Sequence, residues 1–166
     1  MDNQSEDILH LVRGDEQPHG RLKIFLGIAH GVGKTYAMLQ EAHQLKIEGR
    51  DPFIGIINTH GINETANLLV GLKKIPEKKV EFEGNEFHEL DLEAILSLKP
   101  DHVLIDDLSH INISGERHEK RWQDVLEILE NGIDVYTTLD IQHIESLKDI
   151  VEGVVNIHIK ESVPDL

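Results

Sequence analysis

Near its start the chain carries Gly31-Val32-Gly33-Lys34-Thr35-Tyr36, which follows the apolar run Leu22 to Leu26 and opens a helical pattern. A strand that turns through glycines into a helix leaves several backbone N–H groups converging on one point, where the helix dipole also favours an anion. Lys34 adds a mobile positive charge suited to β- and γ-phosphates, and the Thr35 hydroxyl a ligand for an accompanying magnesium ion. A glycine-rich turn without a phosphate is the plainer alternative. The context of strand, glycines and helix favours the phosphate loop. One position departs from the usual spacing: Ile28 stands where a first glycine is expected, with Gly27 one residue too early.

A second set of chemical groups ends another apolar run. His102 to Ile105 is followed by Asp106 and Asp107. Beside a phosphate loop, the first carboxylate after such a strand completes the magnesium shell with the Thr35 hydroxyl, and a second one polarises the attacking water. Asp106 is therefore the candidate metal ligand, and Asp107 the candidate catalytic base. A helix cap or a solvated acidic turn is the other reading of the pair.

Eleven histidines lack any compact metal-ligand spacing, so a structural metal is not expected. His60, His110, His118 and His143 fall at expected loop ends facing the phosphate loop, and His30 lies within it. Charging of His30 near pH 6.5 would make anion affinity pH-dependent. Arg117 and Arg121 are candidate phosphate partners, since guanidinium groups grip phosphates bidentately, with a surface charge on its helix the other reading of Arg121.

These groups need a scaffold, and the chain supplies alternating strand and helix signals from Arg21 onward. Strands are expected at Leu22–Leu26, Phe53–Ile57, Lys78–Phe82, His102–Asp107, Ile133–Thr138 and Val154–Ile159. Helices are expected at Lys34–Glu48, Glu64–Leu72, after an Asp91 cap, around Trp122 to Leu129, and at Ile141–Val151. Strong charge places Lys78–Phe82 at an edge. The pattern predicts an α/β fold of three layers, a mostly parallel sheet with helices on both faces, as in phosphate-loop NTPases. Ligands of such sheets bind beyond the carboxyl ends of the strands, which gathers Asn58 to Gly61, Asp106 to Arg117 and Thr137 to His143 around the loop.

Residues 1–20 read as a mobile tail or, through Ile8, Leu9, Leu11 and Val12, as a short docked helix; residues 21–166 read as one nucleotide-binding domain. The balance of 31 acidic against 16 basic residues, a formal charge of −15, argues against a nucleic-acid or anionic-membrane surface. With no cysteine, disulfides, cysteine nucleophiles and thiolate metal sites are excluded. The acidic N-terminus has no signal-peptide pattern, and no apolar run of about 18 residues occurs, so a cytoplasmic chain without membrane insertion is expected.

The segments Gly31 to Leu39, Thr59-His60-Gly61, Arg117-His118 with Lys120-Arg121-Trp122-Gln123-Asp124-Val125, Gly132 to Thr138, Gln142-His143 with Glu145-Ser146-Leu147, and Glu161 to Asp165 stand together in one order. In this the chain resembles, over about residues 20–165, the N-terminal cytoplasmic domain of the KdpD sensor histidine kinases, which control high-affinity potassium uptake. The Arg117 to Asp124 segment is the most specific part of the resemblance, being far rarer than a phosphate loop. The resemblance implies a regulatory ATP-binding module of a two-component system for potassium and osmotic stress. Its partner would be another protein or the downstream sensor-kinase domains, and the resemblance implies that membrane helices anchor full-length relatives in the inner membrane.

Carried over by residue, Gly31, Gly33, Lys34, Thr35 and Asp106 match positions for ATP and Mg2+, while His60, Arg117, Arg121, Thr138 and His143 match family positions of less defined role. Departures gather at the same place. Asp107 stands for a family Glu, Asn58 for Glu, Ile62 for Arg, Asp140 for Asn, His30 for Pro or Ala, and Ile28 for Ala. Asp107 is one methylene shorter than the family residue, and a misplacement of about 1 Å can cost about 10²-fold in rate. Binding retained and hydrolysis weakened is the expected outcome, with at most a slow ATPase and no histidine phosphorylation by this chain alone. An Mg-dependent ATPase or small-molecule phosphotransferase, and a degenerate partner-binding domain, are the competing readings.

Overall fold

The computed structural model describes residues 19–27, 33–145, 148, 150, 154 and 156–161. In chain order its elements are β1 (Leu22–Gly27), α1 (Lys34–Ile47), β2 (Pro52–Ile56), α2 (Asn63–Asn67), β3 (Lys73–Lys74), β4 (Lys78–Phe82) and β5 (Asn85–Glu89). There follow α3 (Leu92–Leu98), β6 (His102–Ile105), α4 (Arg121–Glu130), β7 (Asp134–Asp140), a 3-10 turn over Ile141–His143, and β8 (Ile157–Glu161). Six strands form one sheet in the order β3-β2-β6-β7-β1-β8, and all of its pairings are parallel.

Parallel strands covered on both faces must be apolar on both faces, and β1 meets that demand. Leu22, Ile24 and Leu26 enter one core with Val103, Ile105, Val135 and the α3 and α4 residues Ile95, Val125 and Ile128. Phe25 points the other way, into a second core with Leu104, Ile54 and the α1 residues Met38, Leu39 and Ala42. Helices therefore lie on both faces of the sheet, in three layers, which is the phosphate-loop NTPase-like architecture expected of the sequence. Strand β7 runs between β1 and β6, so it separates the strand that leads to Lys34 from the strand that leads to Asp106.

Local chemistry sets several boundaries. The Asp91 side chain accepts from the Ala94 N–H at 3.0 Å, capping α3 as expected. Gly33 enters α1 with φ +84°, a left-handed conformation that a side chain would strain although nothing lies within contact of a Cβ there. Other elements differ from expectation. The helix expected at Glu64–Leu72 is a short one, Asn63–Asn67, followed by turns. Lys78–Phe82 is no edge of the main sheet: it pairs antiparallel with Asn85–Glu89 in a separate hairpin.

Strand β7 continues to Asp140, two residues beyond the expected Thr138, and the chain then makes a 3-10 turn where a helix was expected to start. The last strand begins at Ile157 and not at Val154. The question of a tail or docked helix at the N-terminus falls on residues outside those described, as do Ile28, His30, Gly31 and Val32. Among the described residues no helix is long and apolar enough to cross a membrane.

Candidate functional site

A cleft opens at the carboxyl ends of the central strands, lined by Gly33 to Tyr36, Asn58 to His60, Ile62, Thr65, Asp106, Asp107 and Thr138 to Asp140. At its floor lies the Asp106 carboxylate, 5% exposed. The Thr35 hydroxyl lies 3.1 and 3.2 Å from its two oxygens, so the two residues that the sequence pairs as magnesium ligands do meet. The Asn58 backbone N–H donates to Asp106 Oδ2 at 3.0 Å, and the Thr138 hydroxyl donates to Oδ1. Thr138 Oγ1 also accepts from the Asp107 N–H at 2.9 Å, so one hydroxyl serves as donor and acceptor to consecutive residues. Three segments of chain, at Thr35, Asn58 and Thr138, thus hold one carboxylate in place.

Lys34, at the first turn of α1, is equally buried. Its Nζ lies 2.5 Å from Asp140 Oδ1, with the two side chains 9% and 4% exposed. The sheet dictates this partner: Phe25 pairs in register with Thr138, and Gly27 with Asp140. Residues 138 and 140 share one face of β7. One of them reaches the aspartate and the other the lysine. In the sequence Asp140 is marked only by its difference from a family Asn; its place beside Lys34 follows from β7 running two residues beyond Thr138, which no local pattern signals.

Asp107 borders the cleft with φ +57°, and its Oδ1 accepts from the Ser109 hydroxyl at 2.7 Å. His60 also lines the cleft, with φ +51°, and its backbone N–H donates to Asn58 Oδ1 at 2.9 Å in a local turn. Tyr36 and Ile62 present partly exposed apolar surface at the mouth.

The two arginines are absent from the cleft lining and lie against carboxylates. Arg121 is 4% exposed and absent from the cleft lining; it donates to the Asp106 carbonyl at 2.9 Å and faces Glu89 at 3.5 Å. A guanidinium fork suits a carboxylate as well as a phosphate, and a buried carboxylate claims this one. Burial pushes the Arg121 pKa below its ordinary value, against the opposing charges of Glu89, Asp107, Asp106 and Asp124. Arg117 sits in ion pairs with Glu93 and Glu127, away from the cleft lining.

Two of the histidines expected to face the loop are likewise engaged elsewhere. His110 Nε2 lies 2.9 Å from Glu89 Oε1, and His118 Nε2 lies 2.7 Å from Glu127 Oε2. Burial pushes the Glu89 carboxyl up, yet the His110 hydrogen bond and charge, Arg121 and the Ile113 N–H together hold it below the ordinary carboxylate value. His143 is exposed in the 3-10 turn and does not line the cleft. Of the residues singled out by chemistry, the structure gathers Gly33, Lys34, Thr35, Tyr36, His60, Asp106, Asp107 and Thr138, and leaves Arg117, Arg121 and His143 outside.

The segment from His110 to Asp124, which carries the rarest part of the sequence pattern, forms the wall behind Asp106. Arg121 reaches from the start of α4 to the Asp106 carbonyl, and Asn112 Nδ2 donates to buried Asp124 at 2.7 Å and to the His118 carbonyl at 3.0 Å. The family model for the osmosensitive K+ channel His kinase sensor domain, KdpD, matches residues 18–166. The chain belongs to the KdpD sensor-domain family.

It is 50% identical over 149 residues to the sensor protein KdpD of Escherichia coli strain K12, which covers 89% of this chain and 17% of that protein. It is 51% identical over 146 residues to the sensor protein KdpD of Mycobacterium tuberculosis strain H37Rv, covering 88% of this chain and 17% of the relative. A putative sensor protein KdpD of Synechocystis is 49% identical over 150 residues, 40% of its length. The chain thus spans about a sixth of the length of the first two relatives. Among solved structures, the flagellar accessory protein FlaH of Methanocaldococcus jannaschii aligns with TM-score 0.50 over 95% of this chain and 78% of its own, at 18% identity, a likeness of fold alone.

Proposed function

We propose that this domain is a regulatory nucleotide-binding module, taking ATP with Mg2+ at the Lys34, Thr35 and Asp106 cleft and presenting its bound state to a partner protein or to sensor-kinase domains in potassium and osmotic-stress signalling. The observation that carries the reading is the meeting of Thr35 and Asp106 across the sheet, with oxygens 3.1 Å apart beside a buried lysine at the head of a helix. Among the described residues no three His, Cys, Asp or Glu groups gather as a self-sufficient metal site. A hydroxyl and a single carboxylate suit magnesium that arrives with phosphates and keeps several of its waters. When bound, the metal would neutralise phosphate charge. The chain's own part is to fix Asp106 through Thr138 and the Asn58 N–H, and to offer the α1 N-terminus to the anion.

Binding fits better than turnover. Asp107 is the only carboxylate in the position of a base among the cleft-lining residues following β6, and its oxygen is tied to Ser109. The relatives' names as sensor proteins and the family's description as a His kinase sensor domain fit a module that reports a state. Calorimetric and thermal-shift titration with MgATP tests this. Ligand at a hundredfold excess over Kd raises stability by about 2.7 kcal/mol. That shift is expected in the parent chain and lost in Lys34→Ala, with negligible phosphate release. No shift in the parent chain overturns nucleotide binding, and rapid phosphate release would move the reading to an ATPase.

A further inference from the structure

We propose that Asp140 sets nucleotide affinity, its carboxylate holding the phosphate-loop lysine so that a magnesium nucleotide binds only by displacing a resident ion pair. The inference rests on the reading of the cleft as a nucleotide site, and it assigns that site a built-in competitor.

The geometry is specific. Lys34 Nζ and Asp140 Oδ1 are 2.5 Å apart, and both side chains are more than nine-tenths buried. Separating such a pair leaves a buried charge without compensation, which is costly, whereas an exposed pair exchanges partners with little penalty. The backbone of Asp140 is fixed, because it is the last residue of β7 and is held in register against Gly27. A phosphate that approaches Lys34 therefore meets Asp140 on the same ammonium, with Asp106 and Asp107 already lining the cleft. Each is a further negative charge facing an anionic ligand in a partly dry site. An amide at position 140 would keep the shape and an acceptor for the lysine while removing the charge, so the lysine would be released to phosphate.

The consequence is a raised threshold. Nucleotide occupies the cleft only at concentrations high enough to break the Lys34–Asp140 pair, and the pair reforms when nucleotide leaves. Titration of MgATP into the parent chain and into Asp140→Asn reads this directly. The expected result is a Kd lower by about tenfold or more in the variant. Equal or weaker binding by folded Asp140→Asn overturns the proposal and leaves the nucleotide reading intact, while no binding by either chain overturns both.

A double-mutant cycle of Lys34→Met with Asp140→Asn, followed by urea unfolding without nucleotide, tests the pair itself. Non-additive losses are expected, and strictly additive ones overturn the pairing. Asp140→Ser provides the same titration from a second side chain if the amide variant fails to fold.

Discussion

The Arg121 guanidinium donates to the backbone carbonyl of Asp106 at 2.9 Å from within the protein interior, so it braces the main chain behind the cleft and does not enter it. Its other nitrogen faces Glu89, a carboxylate 2% exposed. Removing this cation leaves the buried Glu89 carboxylate with only His110 and the Ile113 N–H as its remaining partners among the described residues. Arg121→Met is expected to cost about 3 kcal/mol of unfolding free energy, in the range for breaking a buried pair from one side. Arg121→Lys restores charge without the fork and should lose less. Urea unfolding in the absence of any ligand is the measurement. An arginine held in reserve for phosphate would leave that stability unchanged, and such a result would restore the assignment made from sequence.

His102, at the start of β6, makes stability depend on pH. Burial lowers its pKa and the nearby Arg50 charge lowers it further, against the opposing effect of Asp134 and Asp101; Nε2 lies 3.3 Å from Asp134 Oδ2. In the unfolded chain the imidazole takes a proton near 6.5, and in the folded chain only at lower pH. Between those two values the unfolded state holds more protons. Stability is thus fully present above 6.5 and declines as pH falls toward the folded pKa. The urea midpoint should drop between about pH 7.5 and about pH 5.5, and His102→Gln should flatten that part of the slope. An identical slope in both chains would assign the effect to other groups.

How far the sequence carried the description depends on where each residue's partner lies. β1 and β6 were legible because burial on both faces demands apolar runs, and Asp106 stood out because a carboxylate pair ends one of them. The Asp91 cap was legible because its partner, the Ala94 N–H, is three residues away. The carboxylate partner of Arg121 was not legible, because Glu89 belongs to β5, a polar strand with little apolar signal, Asn85–Glu89, that pairs only within a hairpin. The Lys34–Asp140 pair was hidden for a related reason. It follows from the register of β7 against β1 and from two extra strand residues, and neither can be seen in the local pattern. Short-range chemistry was readable, and across the sheet only the meeting of Thr35 with Asp106 was, because a motif marks both residues.

Thr138 links the metal-side aspartate to the candidate base, and that predicts a separable effect. Its hydroxyl accepts from the Asp107 N–H at 2.9 Å while donating to the Asp106 carboxylate, so Thr138→Val removes both contacts with almost no change of shape. An unsatisfied buried N–H and a freed carboxylate together are expected to cost about 1–3 kcal/mol of stability. Supporting groups of this kind typically alter metal affinity by about 10- to 100-fold. The valine chain should therefore lose about tenfold in affinity for MgATP but little for ATP in the presence of EDTA. Thr138→Ser keeps the hydroxyl and should recover most of the loss. Calorimetry with and without magnesium, on all three chains, decides the matter. An equal loss in both conditions would make Thr138 a structural support of the cleft and not an orienter of the metal-side carboxylate.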